Sequence, residues 1–269
     1  MNTTEIITAI VVLSVVALII GIILSIAEKA FKVEVDEREE AIREELPGSN
    51  CGGCGFAGCD ACAKAIASGE AAVSACPVGG APVAQKIAAI MGQELGELER
   101  MVAYVKCDGT IEKKNEDYNY FGIDSCVYAA MLPGTSPYAC KFGCIGLGSC
   151  ARVCDQKAIR IINKKAVVDE DMCVACGKCV KICPHHLIEI IPASSQQRVQ
   201  CSSLSRGKEV KNACAAGCIG CGLCAKNCPS DAIVFNNNIP KIDYSKCTHC
   251  GLCVEKCPVK IIKAEREKF

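Results

Sequence analysis

The chain has 269 residues, with 30 basic and 30 acidic side chains and a formal net charge of zero. That balance gives no sign of the basic face expected of a nucleic-acid binder, and the lack of tryptophan, with aromatics at only 4%, argues against large aromatic cores. Twenty-five cysteines bring the chain close to the range where cysteine sets the architecture, so small units built around more than side-chain packing are expected.

The first predicted element is Ile6–Ala27, 22 residues without a charge. As a helix it would span roughly 33 Å, enough for a ~30 Å hydrocarbon core, so a single transmembrane helix is expected. A signal peptide is disfavoured because "MNTTE" carries no basic residue and no A-x-A site follows. Lys29 and Lys32 follow the span and only Glu5 precedes it, which places the bulk of the chain on the cytoplasmic side. Ala17, Gly21 and Ser25 form a small-xxx-small face suited to another membrane helix.

Val33–Leu46 reads as a charged, solvated helical connector stopped by Pro47-Gly48. A first cysteine module, Cys51 to Cys76, follows, and Pro82–Met91 has helical spacing through Val83, Ile87 and Ile90. Met101–Lys106 reads as a short strand, and Asp124–Leu132 as a helix closed by Pro133-Gly134. Two cysteine-dense blocks come next. Cys154 lies 19 residues before Cys173 and 29 before Cys183; Cys228 lies 19 before Cys247 and 29 before Cys257. Ala158–Asp169 and Ala232–Asp243 each read as strand, polar turn, strand. These are two copies of one unit.

"CVACGKCVKICP" (173–184), "CIGCGLCAKNCP" (218–229) and "CTHCGLCVEKCP" (247–258) repeat the bacterial ferredoxin frame C-x2-C-x2-C-x3-C-P, whose fourth cysteine serves the neighbouring [4Fe–4S] cluster. A disulfide framework fits poorly, because the cysteine total is odd and the spacing converges thiolates on one centre. A zinc-stabilised scaffold is the competing reading, but tetrahedral zinc does not explain the interlocked fourth cysteine. The crossover groups Cys218, Cys221, Cys224 and Cys257 around one cluster, and Cys228, Cys247, Cys250 and Cys253 around its partner. It likewise groups Cys154, Cys173, Cys176 and Cys179, and Cys140, Cys144 and Cys150 with Cys183. The last set departs from the frame, since "CKFGCIGLGSC" has x3 then x5. In the first module Cys51, Cys54 and Cys59 await a fourth ligand, for which Cys62 competes with the favoured Cys76-Pro77.

The order of parts (anchor, "CGGCGFAGCDAC", "CKFGCIGLGSC", ferredoxin frames) resembles the B subunits of the Rnf complex, also called the ion-translocating oxidoreductase complex. The resemblance covers nearly the whole chain, and the block from Cys214 onward looks like the longer form of that family. It implies an electron-transfer subunit that receives electrons from soluble ferredoxin. The complex it implies is bound to the cell membrane and couples ferredoxin:NAD+ electron transfer to Na+ or H+ translocation, with membrane-integral, flavin-bearing and NAD-binding partner subunits. It also implies ligands at Cys51, Cys54, Cys59 and Cys76, at Cys140, Cys144, Cys150 and Cys183, and at Cys154, Cys173, Cys176 and Cys179. A polyferredoxin subunit of a membrane hydrogenase or formate dehydrogenase is the alternative.

The expected fold is α+β: a transmembrane anchor (1–27), a charged connector (28–48), a single-[4Fe–4S] module (49–92), a connecting segment (93–135), a ferredoxin-like domain (136–191), an insert (192–213) and a second ferredoxin-like domain (214–269). Five [4Fe–4S] clusters are expected, with Cys107, Cys126, Cys201 and Cys214 as candidates for a sixth metal site. His185, His186 and His249 read as exposed or indirectly placed rather than as ligands. The basic residues Lys256, Lys260, Lys263, Arg266 and Lys268 are offset by Glu255, Glu265 and Glu267 and read as a solvated end. No nucleotide-binding motif is present, so NAD and flavin chemistry is expected on partner subunits, and no residue of this chain is expected to act as acid, base or nucleophile.

Overall fold

The computed structural model describes residues 3–30, 36–96 and 98–264. Helix α1 (Thr3–Ala30) covers the expected apolar span. Its described side chains, Ile7 and residues 11–26, are all exposed. Among the described residues no helix is long and apolar enough to cross a membrane, so the expected span rests on the sequence alone.

Three helices follow. The Asp36 carboxylate caps α2 (Glu37–Glu45) by accepting the Arg38 N–H at 2.9 Å, the usual role of an aspartate before a first turn. With α3 (Cys59–Ala67) and α4 (Gly80–Met91) it encloses a core in which Ile42, Ile66 and Ile87 are fully buried. This corrects the expectation of a solvated connector: Ile42 and Leu46 are too sparse to draw an amphipathic stripe, yet both are anchors of this bundle. Residues 33–35 lie outside the described set.

The rest of the chain is built from short pieces. They are β1 (Met101–Val105), α5 (Cys126–Ala130), α6 (Ser149–Arg152), β2 (Ile159–Ile162), β3 (Lys165–Val168), α7 (Lys178–Ile182), β4 (Ile188–Pro192), β5 (Arg198–Val199), α8 (Gly207–Ala213), α9 (Leu223–Lys226), β6 (Ile233–Asn236), β7 (Ile239–Ile242), α10 (Leu252–Glu255) and β8 (Ile262–Lys263). Every sheet has two antiparallel strands: β1 with β4, β2 with β3, β5 with β8, and β6 with β7. Two strands alone are marginal in water, so each hairpin depends on what packs beside it.

The duplication is visible in detail. Both inner hairpins turn through two residues of positive φ, Asn163 (48°) with Lys164 (58°) and Asn237 (47°) with Asn238 (72°), the pattern that matches strand twist. The register that superposes Cys154 on Cys228 also superposes β4 on β8, and β1 then corresponds to β5. The Lys106 N–H donates to Leu187 O and the Gln200 N–H donates to Ile261 O, each at 2.8 Å, in equivalent places. The two units interlock: Asp108 N–H donates to Gln200 O at 3.0 Å, Asn115 N–H to Ala213 O at 3.2 Å, and Ala215 N–H to Lys113 O at 2.8 Å.

One glycine is fixed by this packing. Gly146 has φ +80°, and a Cβ there would stand 2.4 Å from the Lys164 carbonyl oxygen in the hairpin turn. Its counterpart Gly220 (φ +67°) has more room, with Asn238 atoms at 3.5 Å. Gly146→Ala is expected to cost about 2–5 kcal/mol from left-handed strain and overpacking together. Gly220→Ala should cost only the strain, about 1–3 kcal/mol. Denaturant unfolding of the iron-loaded chain measures both, and equal losses would contradict the packing argument.

Candidate metal centres

In the second unit the cysteines surround two chambers. One, of about 310 Å³, is lined by Cys228, Cys247, Cys250 and Cys253; the other, of about 290 Å³, by Cys218, Cys221, Cys224 and Cys257. These are the groups expected from the ferredoxin crossover. Gly222 and Gly251, both in the left-handed region, precede α9 and α10 and reverse the chain so that successive cysteines face one centre. Cys228 is held below the ordinary thiol pKa: burial opposes ionisation, but Ser230 and the backbone N–H groups of Ala232, Ser230 and Ile233 outweigh it. That environment favours the thiolate a metal needs.

In the first unit Cys179 lies within electrostatic reach of Cys173, Cys176 and Cys154, as expected. The other chamber, of about 370 Å³, is lined by Cys126, Cys144, Cys150 and Cys183, with His185 at its edge. Here the structure departs from the expected set: Cys126 occupies the place assigned to Cys140. Superposing the units explains the exchange. Cys144 and Cys150 fall on Cys218 and Cys224, but Leu147 stands where the second unit has Cys221. The missing sulfur comes from the start of α5, held in place because the Cys126 N–H donates to Ser149 Oγ at 2.8 Å. Cys140 instead lines a chamber of about 330 Å³ with Cys107, Cys201 and Cys214. The four leftover cysteines therefore do not converge as expected, because Cys126 is drawn into the first unit.

In the first module Cys54, Cys59, Cys62 and Cys76 lie within electrostatic reach of one another in the bundle core, where Cys62 is 1% exposed. Burial, then a hydrogen bond with Cys54, pushes the Cys62 thiol up to about 12, the behaviour of a small core residue. Cys51 is half-buried and lies within electrostatic reach of Lys178. The loop carrying it abuts the first unit: a Cβ on Gly53 would stand 2.9 Å from Cys176 O and 3.3 Å from Cys176 Cβ. Only glycine permits that approach.

Sulfurs in these cages accept backbone N–H groups: Cys173 Sγ from Ala103 at 3.3 Å and Ala175 at 3.5 Å, and Cys183 Sγ from Leu187 at 3.4 Å. Burial pushes the Cys144 and Cys179 thiols up to about 12 and Cys224 to about 11, so loading these cages must expel protons as metal binds. Chambers with four cysteines each, N–H groups directed at sulfur and glycines at the approaches fit an iron–sulfur cube. His185 Nδ1 is 2.7 Å from Gly143 O and Nε2 is 3.1 Å from Thr135 O, so this ring braces loops, and His249 Nδ1 meets Gln197 Oε1 at 2.9 Å.

These cages define an iron–sulfur protein of the ferredoxin class with several centres. A family model described as "Putative Fe-S cluster" matches residues 46–78, and one described as "4Fe-4S dicluster domain" matches 142–192 and again 217–261. The chain is 43% identical over 237 residues to the B subunit of the Na(+)-translocating ferredoxin:NAD(+) oxidoreductase complex of Acetobacterium woodii, covering 87% of this chain and 71% of that protein. It is 42% identical over 247 residues to the proton-translocating counterpart of Clostridium ljungdahlii (91% and 86% covered). It is 41% identical over 245 residues to the B subunit of the ion-translocating oxidoreductase complex of Methanosarcina acetivorans (91% and 92% covered). The chain belongs to the family of B subunits of ion-translocating ferredoxin:NAD+ oxidoreductase complexes.

Proposed function

We propose that this chain is the iron–sulfur electron-transfer subunit of an ion-translocating ferredoxin:NAD+ oxidoreductase, taking electrons from reduced ferredoxin and relaying them to partner subunits that carry flavin and bind NAD. The observation that carries this reading is the set of four-cysteine chambers in the ferredoxin-like units of a chain related over its length to such subunits. Five sites are assigned: Cys51, Cys54, Cys59 and Cys76; Cys126, Cys144, Cys150 and Cys183; Cys154, Cys173, Cys176 and Cys179; Cys218, Cys221, Cys224 and Cys257; and Cys228, Cys247, Cys250 and Cys253. Bound [4Fe–4S] clusters supply one-electron redox chemistry. The protein's residues hold the sulfurs, direct N–H groups at them and fix the distances between centres.

Cys221 and Cys250 are the two exposed cysteines, which supports the second unit as the face for ferredoxin. Lys256 and Lys260, also exposed there, suit an acidic partner. The Gly53–Cys176 contact supports a relay in which the single-cluster module adjoins the first unit. Helix α1, apolar from Ile6 to Ala27, anchors the chain with its bulk on the cytoplasmic side.

The test uses the assembled complex. Cys250→Ser is expected to lower ferredoxin-dependent NAD+ reduction by more than about tenfold, since even outer-shell losses at metal sites reach that size. Full flux with that centre lost would remove the second unit from the path. For the first unit, Cys126→Ser is expected to remove about four irons per chain. An unchanged iron content would return Cys140 to that site.

A further inference from the structure

The chamber lined by Cys107, Cys140, Cys201 and Cys214 is built on cysteines that lie outside all three family-matched segments. We infer that these four cysteines hold a sixth iron–sulfur cluster, of the [4Fe–4S] class, at the junction of the two ferredoxin-like units.

The duplication supports this first. In the register that superposes the units, Cys140 falls on Cys214, and Cys107 and Cys201 each stand two residues beyond the equivalent strands β1 and β5. Each unit thus supplies the same pair of sulfurs. Their hydrogen bonds are equivalent too: Cys107 Sγ accepts the Cys144 N–H at 3.3 Å, and Cys201 Sγ accepts the Cys218 N–H at 3.3 Å. Cys144 and Cys218 line neighbouring chambers, one in each unit. The junction site therefore touches both dicluster units through a sulfur–amide contact.

The chamber also has the form of a cluster site. Four cysteines line it, as four line each of the two chambers in the second unit. Gly143 and Gly217, equivalent in the two repeats, both line it. A Cβ on Gly143 would sit 3.3 Å from Cys140 Sγ and 3.7 Å from Cys107 Sγ, filling space between the sulfurs.

A buried cation supplies the third observation. Lys114 is 5% exposed, and its ammonium donates to Cys144 O at 2.8 Å and Lys164 O at 2.9 Å and lies 4.0 Å from the Tyr138 ring centroid. No carboxylate is paired with it among the described residues, and its backbone bridges to Cys214. A buried charge requires compensation. Four thiolates around an iron–sulfur cube carry net negative charge and provide it.

The experiment is metal and sulfide analysis of the full chain purified without oxygen, with EPR of the reduced protein. The expected result is about 24 irons and 24 sulfides per chain. Cys201→Ser and Cys214→Ser should each reduce these to about 20 and remove one reduced-cluster signal. Lys114→Met, which keeps all four sulfurs, should move a reduction potential downward without loss of iron. About 20 irons in the unaltered chain, unchanged in Cys201→Ser, would overturn the sixth site while leaving the five assigned centres standing. One zinc per chain lost in Cys214→Ser would overturn its identity as a cluster. An iron-free chain would overturn both readings. Iron is counted on the isolated chain, so the result is independent of which donor feeds it.

Discussion

Removing iron with a chelator under oxygen-free, reducing conditions is expected to unfold the chain from Met101 onward while the α2–α4 bundle stays folded. The two parts differ in what fills their cores. The bundle packs Ile42, Ile66, Val73 and Ile87 against one another. In the ferredoxin-like units cysteine takes a larger share of the core: Cys107, Cys144, Cys150 and Cys179 in the first, and Cys201, Cys218, Cys224, Cys253 and Cys257 in the second. Helices of four or five residues, such as α6, α7, α9 and α10, are far below the length at which a helix persists alone. Structural metal sites contribute on the order of 10 kcal/mol, comparable to a whole domain's ~5–15 kcal/mol. Hydrogen exchange reads the outcome directly. Amides of 101–264 should lose protection and those of 37–91 keep it. Retained protection in β1–β4 without iron would show that side-chain packing suffices.

A second large effect is expected at Glu170. Arg198 on β5 grips its carboxylate with both terminal nitrogens, Nη1 to Oε1 and Nη2 to Oε2 at 3.1 Å, and the two side chains are 5% and 8% exposed. The guanidinium also donates to Ser195 O at 3.2 Å and lies 5.5 Å from the Tyr104 ring centroid. This pair ties the end of the first unit's hairpin to the strand that opens the second. Glu170→Ala leaves a buried guanidinium without its counter-ion, which costs about 3–5 kcal/mol. Replacing both partners with apolar residues of similar volume, Glu170→Leu with Arg198→Met, should recover most of that loss. Unfolding of the iron-loaded protein in urea measures each variant. A double variant as unstable as Glu170→Ala would mean that the pair itself, and not the stranded charge, holds the units together.

The parts legible in the sequence are those whose ligands lie within one local frame. Cys154 and Cys228 announce the repeat through identical distances to later cysteines, and both chambers of the second unit hold the sulfurs expected from the frame. Cys126 is not legible in that way, because it reaches its chamber through a tertiary contact with Ser149 on a different helix. A signal exists all the same: superposing the repeats leaves Leu147 in a cysteine position, and a vacant ligand calls for a substitute. The same superposition pairs Cys140 with Cys214 and directs Cys140 to the junction. The connector helix misleads for another reason. Two buried residues, Ile42 and Leu46, suffice to anchor α2, too few for a periodic pattern among its many charges.

The most direct test of the account is to mix the iron-replete full chain with reduced ferredoxin, without oxygen, and follow its visible absorbance and EPR. Loss of the broad absorbance and the growth of reduced-cluster signals, with ferredoxin oxidised in step, is the predicted result. A chain that dithionite reduces but reduced ferredoxin leaves oxidised would contradict it.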